Sequence, residues 1–178
     1  MRFTELVDVR KLIPFLCLFI QSCTTMTAQT TSFKAEFIET WSNSMEYTLK
    51  VAKLMPDHKY SYRPSEDVRT FGEQMEHIAM AITYHSKSAI DVKHTKFKGN
   101  ISNKEEVISY LESQYLAVKN VLKSIDETDF EETVSFWAGR MTRGKILTFT
   151  NNHVTHHRAQ AILYLRMNDI KPPDYIGW

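Results

Sequence analysis

The chain has 178 residues, with 22 Lys and Arg against 21 Asp and Glu and a formal net charge of +1. This near balance gives no excess charge for holding a polyanion or an anionic lipid surface, so nucleic acid is excluded as an expected partner. With 5 Gly and 5 Pro, the sequence lacks the regular turn signals of a β-sandwich or barrel, and helices are favoured.

The N-terminus has the pattern of a targeting segment. Arg2, Arg10 and Lys11 supply positive charge, and residues 12–20 form an apolar run interrupted only by Pro14. This run is too short to span a bilayer, which requires about 20 residues. The segment is therefore predicted to direct export and then to be removed.

Residues 20–23, with the sequence Ile-Gln-Ser-Cys, resemble the bacterial lipobox, in which the cysteine is lipidated and becomes the first residue. We predict that residues 1–28 contain a signal peptide of lipoprotein type, with cleavage before Cys23, and that residues 29–178 form the folded domain. The alternative is plain secretion with cleavage near Thr27 or Ala28. Either outcome leaves the domain without a cysteine of its own and hence without a disulfide. A lipid anchor at the cell envelope of a bacterium would be the domain's contact with the membrane.

Four amphipathic helices follow in chain order. Apolar residues recur at three- and four-residue steps from about residue 33 to 55, where Pro56 ends the pattern, and again over 71–89. A third helix is predicted to open at Ser102, three residues before Glu105, and to run to about residue 125. The fourth and longest covers 142–167.

Four such helices are most simply buried as an all-α four-helix bundle around one core. The connections between the first and second helices and between the third and fourth are longer than the ~2 to 8 residues of a simple bundle, which indicates crossover connections. These connections carry Tyr60, Tyr62, Phe136 and Trp137. The four aromatic residues are expected either to plug the ends of the bundle or to line the mouth of a pocket.

The fourth helix carries the sequence His-Val-Thr-His-His at residues 153–157. Its spacing places His153 and His157 on one face, within reach of one metal ion, and directs His156 elsewhere. The pair falls on the core-facing stripe, where an imidazole without a partner would cost roughly 1 to 3 kcal/mol. A third nitrogen must come from another helix, and the pattern alone leaves both His77 and His85 as candidates.

Two segments resemble the signature segments of the DinB/YfiT-like metalloprotein family. They are residues 71–79, Phe-Gly-Glu-Gln-Met-Glu-His-Ile-Ala, and residues 153–160, which contain an HxxxHRxQ element. The resemblance spans roughly residues 33–170. It implies a three-histidine site within a four-helix bundle, formed by His77, His153 and His157, with His85 left as a core residue or one that supports the ligands.

The resemblance also implies the chemistry. Three neutral imidazoles leave a divalent metal with an open position, as in catalytic zinc sites. Characterised family members include thiol S-transferases and metal-dependent hydrolases, so we expect one divalent ion, zinc first and nickel or manganese as alternatives, activating a thiol or water for attack on a small electrophilic substrate. The family further implies a homodimer. The alternative is an envelope protein that binds metal, or responds to stress, without turnover.

Other residues are weaker candidates for the site. Gln160 lies one turn after His157 and is positioned to orient a ligand or substrate, and Arg143 and Arg158 are candidates to hold an anionic thiol. No acid or base is evident, because Glu76 is turned away from its neighbour His77 by about 100° around the helix.

Overall fold

The computed structural model describes residues 32–177, which fold as four long helices with short elements between them. The predicted signal segment and Cys23 lie outside the described residues. The helices are α1 (Phe33–Leu54), α2 (Phe71–Ile90), α3 (Lys104–Ser124) and α4 (Arg143–Met167). Short 3₁₀ helices follow α1 (Asp57–Lys59) and α3 (Glu127–Glu131), and a small antiparallel hairpin of β1 (Thr133–Val134) and β2 (Met141–Thr142) precedes α4. None of the helices in residues 32–177 has the length and apolar character needed to cross a membrane.

Side-chain caps fix where the helices begin. Thr70 and Glu73 form a reciprocal capping box at the start of α2, and the Thr142 hydroxyl accepts from the Lys145 amide at the start of α4. The predicted start of α3 at Ser102 is wrong by one residue, because the Asn103 side chain takes the capping role by accepting from the Glu106 amide. Asparagine and serine are near-equal caps, so the pattern alone does not separate the two positions.

The order of the helices around the bundle explains the long connections. The main contacts pair α2 with α3 and α4, and α1 with α3 and α4, so α1 and α2 lie diagonally across the core, as do α3 and α4. The chain must therefore cross the end of the bundle between α1 and α2 and again between α3 and α4. These are the two long connections, and the predicted four-helix bundle with crossover connections is confirmed. The hairpin within the second crossover was not anticipated.

The core is filled by aromatic and aliphatic side chains from all four helices. Trp41 of α1 is fully buried against Tyr115 of α3, and its indole N–H donates to the Tyr115 carbonyl at 3.2 Å. Tyr60 of the first crossover is also fully buried, and its hydroxyl donates to the Ala52 carbonyl at 2.8 Å. Tyr60 therefore plugs one end of the bundle, which is one of the two roles expected for the aromatic residues of the connections.

The start of α2 is held close to both neighbouring connections. The Gly72 amide donates to the Tyr60 carbonyl at 2.9 Å, and a Cβ added at Gly72 would lie only 2.1 Å from the Ile101 carbonyl oxygen. Only glycine allows so close an approach of backbone to backbone. This contact holds the first turn of α2 against the backbone of the two connections that flank the helix.

Candidate metal centre

Three histidines meet where α2 packs against α4. His77 extends from α2, and His153 and His157 extend from successive turns of α4, so that one nitrogen from each lies within 4.8 Å of the others. The Nε2 atoms of His77 and His153 are 3.1 Å apart. Ligand atoms around a tetrahedral zinc ion are separated by about 3.3 Å, given Zn–N bonds of about 2.0 to 2.1 Å. Within residues 32–177 this is the one such group, and it could hold a metal ion.

Burial favours the neutral form of the three imidazoles, which is the form that ligates metals. Burial lowers the pKa of His77 to about 4, with further lowering from Arg69 and His153. Burial, followed by the neighbouring histidines, lowers the pKa of His157 to about 3, and the pKa of His153 is lowered for the same first reason. Protons therefore compete weakly for the nitrogens at neutral pH.

A glutamine on α2 orients the ring of His157. The Nδ1–H of His157 faces the Gln74 side-chain oxygen at 3.0 Å, and this hydrogen bond leaves its Nε2 free for the cluster. Gln74 is itself fixed, since its amide donates to the Gln160 oxygen at 2.7 Å, and Gln160 in turn contacts the Nε2 of His156 at 3.0 Å. Gln160 thus acts through Gln74. Sequence reasoning missed Gln74, although its position three residues before His77 places both on one helix face.

An open cavity of about 710 Å³ reaches this cluster at His157. Its wall is polar, and besides histidines and glutamines it contains four acidic side chains and one arginine, namely Glu66, Asp67, Glu73, Glu76 and Arg69. Partial burial raises the pKa of the Glu76 carboxyl, while Arg69 opposes this effect. A small polar molecule therefore has access from solvent to the edge of the histidine cluster.

His85 lies beside the cluster without joining it. Its side chain is 7% exposed, its ring centre is 5.0 Å from that of His153, and the rings of Phe149, Phe136 and Trp137 surround it. Within the described residues its Nδ1 atom has no hydrogen-bond partner. Burial lowers its pKa to about 4. Of the aromatic residues in the second crossover, Phe136 is buried here and Trp137 is 65% exposed at the outer edge.

The structure does not bring the two candidate arginines to the histidines. Arg143 pairs with Glu132 at 2.8 Å and donates to the Ala89 carbonyl, and it lies ten residues, or about 15 Å of helix, before His153. Arg158 is 4% exposed and its hydrogen bonds go to α1 residues and to Thr155 on its own helix. Both side chains are held by protein acceptors away from the cluster.

Comparison with known proteins identifies the family of this chain. The sequence matches the DinB superfamily over residues 40–161. The chain belongs to this superfamily, as the resemblance of its two signature segments implied. No match was found among proteins of curated function.

Solved DinB-like structures share the architecture. A DinB-like protein from Bacillus cereus has a TM-score of 0.68 at 22% identity, over 78% of this chain and 95% of that one. A DinB-like protein from Bacillus subtilis has a TM-score of 0.65 at 15% identity, over 79% and 96%. A protein described as a member of the DinB family from Exiguobacterium sibiricum has a TM-score of 0.60 at 15% identity, over 78% and 93%. At these identities the likeness concerns the fold.

Proposed function

We propose that this protein is a metal-dependent enzyme in which His77, His153 and His157 hold one divalent ion, and in which water or a small thiol is activated for attack on a small electrophile. The observation that carries the proposal is the meeting of three imidazoles, one of which, His157, lies at the wall of an open cavity. Three histidine ligands are the donor set of catalytic zinc sites, which keep a position free for water or substrate.

The chain's own residues would hold and orient the ligands. A zinc ion held there would lower the pKa of a bound water toward ~7, or would lower the pKa of a bound thiol, and would so supply a nucleophile at neutral pH. Gln74 fixes the ring plane and tautomer of His157, and Gln160 fixes Gln74. The polar cavity would admit the electrophile from the side of His157.

Zinc is the metal we propose, with nickel and manganese as the alternatives to be measured. Imidazole nitrogen suits zinc and nickel, whereas manganese prefers oxygen ligands, and no carboxylate joins the three histidines within the described chain. The three nitrogen ligands therefore favour zinc and nickel over manganese. Elemental analysis of the purified protein identifies the ion.

A non-catalytic role in metal binding is the second candidate. A site built only to sequester or to stabilise would be expected to be closed, with all positions filled by protein. The 710 Å³ cavity beside His157 is the feature that favours catalysis over this alternative.

We also propose that the protein acts at the bacterial cell envelope, anchored through Cys23, and that it forms a homodimer. The first rests on the charge and apolar pattern of residues 1–28, and the second on family analogy alone. An envelope location bears on the chemistry, because the low-molecular-weight thiols of the cytoplasm are not expected there at useful concentration. Water is then the nucleophile to test first.

The deciding experiment measures metal by elemental analysis in the purified parent, in His153→Ala and in His156→Ala. About one ion per chain in the parent and in His156→Ala, with little in His153→Ala, supports the site. The loaded parent is then assayed for hydrolysis and for thiol transfer against a panel of small electrophiles. Absence of metal from all three proteins would overturn the proposal, while metal without turnover would favour the non-catalytic role.

A further inference from the structure

A second cavity lies on another face of α4, against α1 and the C-terminal segment. It has a volume of about 650 Å³, and its wall includes three basic side chains, Arg158, Arg166 and Lys171, together with Tyr47, Pro172 and Tyr175. None of the histidine ligands lines it. The cavity is therefore distinct from the opening at the candidate metal centre.

Arg158 gives this cavity a buried positive charge. The side chain is 4% exposed, yet within residues 32–177 it forms no ion pair with a carboxylate. Its Nη1 donates to the carbonyl and hydroxyl oxygens of Ser44 and to the Thr48 hydroxyl, at 3.0 to 3.3 Å, and its Nη2 donates to the Thr155 hydroxyl at 3.2 Å. All of these acceptors are neutral. A buried charge that has only neutral partners is stabilised further by an anion beside it.

The guanidinium also keeps donor capacity for such an anion. Arginine has five N–H groups, and the bonds of Arg158 to Ser44, Thr48 and Thr155 come from Nη1 and Nη2, so none of these acceptors uses the Nε–H. Nε and Nη2 form one edge of the planar fork, which matches the two oxygens of a carboxylate. The Nη1 group is held by the oxygens of Ser44 and Thr48, and the guanidinium carbon lies over the Tyr47 ring, 4.8 Å from the ring centre. The fork is thus held in place before a ligand arrives.

The other residues of the cavity wall indicate which chemical groups the rest of the ligand should have. Arg166 and Lys171 add two positive charges without ion pairs among the described residues, against the one carboxylate of Asp174. Between them the surface is mainly apolar, formed by Tyr47, which packs edge-on against Tyr175 at 5.8 Å, and by two prolines. This combination suits a molecule with one anionic end and an apolar body.

We propose that this cavity is a binding site for a small organic carboxylate with an apolar chain or ring, held at Arg158 and steered by Arg166 and Lys171. The site does not depend on the proposed metal or on its chemistry. Arg158 contacts its ligand directly in this proposal, and the two rim residues act mainly through their charge.

The test uses octanoate as the probe and octylammonium, with the same chain and the opposite charge, as its control. Calorimetric titrations are made on the His153→Ala chain, so that octanoate cannot bind through a metal held by the histidines. We expect one octanoate per chain, no measurable octylammonium binding, and weaker octanoate binding at high salt.

Two variants of the His153→Ala chain test which positive side chains hold the octanoate. The double change Arg166→Gln and Lys171→Gln is at the rim and is expected to weaken octanoate binding by about tenfold without altering the fold, since each exposed pair contributes up to about fivefold. Arg158→Lys keeps the charge but loses the fork, and is expected to weaken binding by at least about tenfold. Thermal melts confirm that both variants are folded. Equal affinity for the two probes, or octanoate affinity unchanged by the rim variant, would overturn the proposal.

Discussion

Two neighbouring residues of α4, His157 and Arg158, belong to two polar clusters of different kinds. On the side facing α2, three imidazoles converge with their nitrogens within 4.8 Å of one another. On the side facing α1, the Arg158 guanidinium donates to Ser44 and Thr48, and the hydroxyl of Tyr115 lies 2.9 Å from that of Thr48. In the first cluster imidazole faces imidazole, and in the second the oxygens of Ser44 and Thr48 accept hydrogen bonds from a charged donor.

The difference is between a hydrogen-bonded network that stabilises the fold and a histidine cluster that we propose holds a metal ion. A buried hydrogen-bonded network contributes to the free energy of unfolding, because removing one member leaves the others without partners. Buried imidazoles collected around a common point contribute little to the fold on their own, and we propose that they converge to hold a metal ion. Substitutions on the two sides of α4 should therefore affect different measurements.

The largest effect is expected from metal itself. Zinc at about 1,000 times its dissociation constant should raise the free energy of unfolding by about 4 kcal/mol, because it binds the folded chain alone. His153→Ala should lose this increase, while His156→Ala should keep it. Urea unfolding with and without zinc measures the difference. Equal stabilisation of the parent and His153→Ala would show that zinc binds elsewhere.

On the α1 side, Arg158→Leu should lower the free energy of unfolding by about 3 kcal/mol, because buried oxygens of Ser44 and Thr48 lose a charged donor. Its metal content per folded chain should stay at the parent value. The matched change Arg166→Leu, on an exposed residue of the same helix, should alter stability by no more than about 0.5 kcal/mol. Similar urea midpoints for the two variants would remove the distinction between the clusters.

Gln74→Leu should weaken zinc binding by about 10- to 100-fold, the usual effect of removing an outer partner of a ligating histidine. Gln160→Leu should have a smaller effect, since Gln160 reaches His157 only through Gln74. Competition with a chromophoric chelator measures both affinities. A larger loss in Gln160→Leu would show that Gln160 contacts the ion's surroundings directly.

Much of the fold was predictable because its signals are local. The apolar period marks each helix, Pro56 ends the first, and the lengths of two connections indicated crossovers, which the diagonal placement of the helices confirms. The hairpin at Thr133–Val134 and Met141–Thr142 could not be predicted, since a strand of two residues is too short to show an alternation of apolar and polar residues.

The site was predictable only in part. The spacing of His153 and His157 pointed to a pair, but the choice of His77 over His85 came from the family resemblance, because both lie in the middle of α2. In the structure, His77 lies beside both His153 and His157, whereas His85 lies one turn or more away, beside His153 and Phe149. The burial of Arg158 also could not be read from its neighbours, since it depends on hydroxyls more than 100 residues earlier in the chain.

A smaller effect is expected within the α1-side network. Tyr115→Phe removes a fully buried hydroxyl that contacts Thr48 at 2.9 Å and Ser44 at 3.3 Å. The free energy of unfolding should fall by about 1 kcal/mol, with zinc affinity unchanged. Tyr84→Phe, on a ring that is 40% exposed, is the matched control and should have no effect. A change in zinc affinity in Tyr115→Phe would mean that the two clusters are coupled.

The smallest effect is expected from mild acid on zinc affinity. Zinc binds neutral imidazole, so protons compete once the pH falls below the pKa values of the metal-free site. An unperturbed histidine, with a pKa of 6.5, would be about 90% protonated at pH 5.5. The pKa values of about 4 for His77 and about 3 for His157 keep these rings neutral there, and the pKa of His153 is also lowered. Zinc titrations between pH 7.5 and 5.5 should therefore change the dissociation constant by less than about threefold, whereas a steep loss near pH 6.5 would contradict the shielding of the cluster from protons.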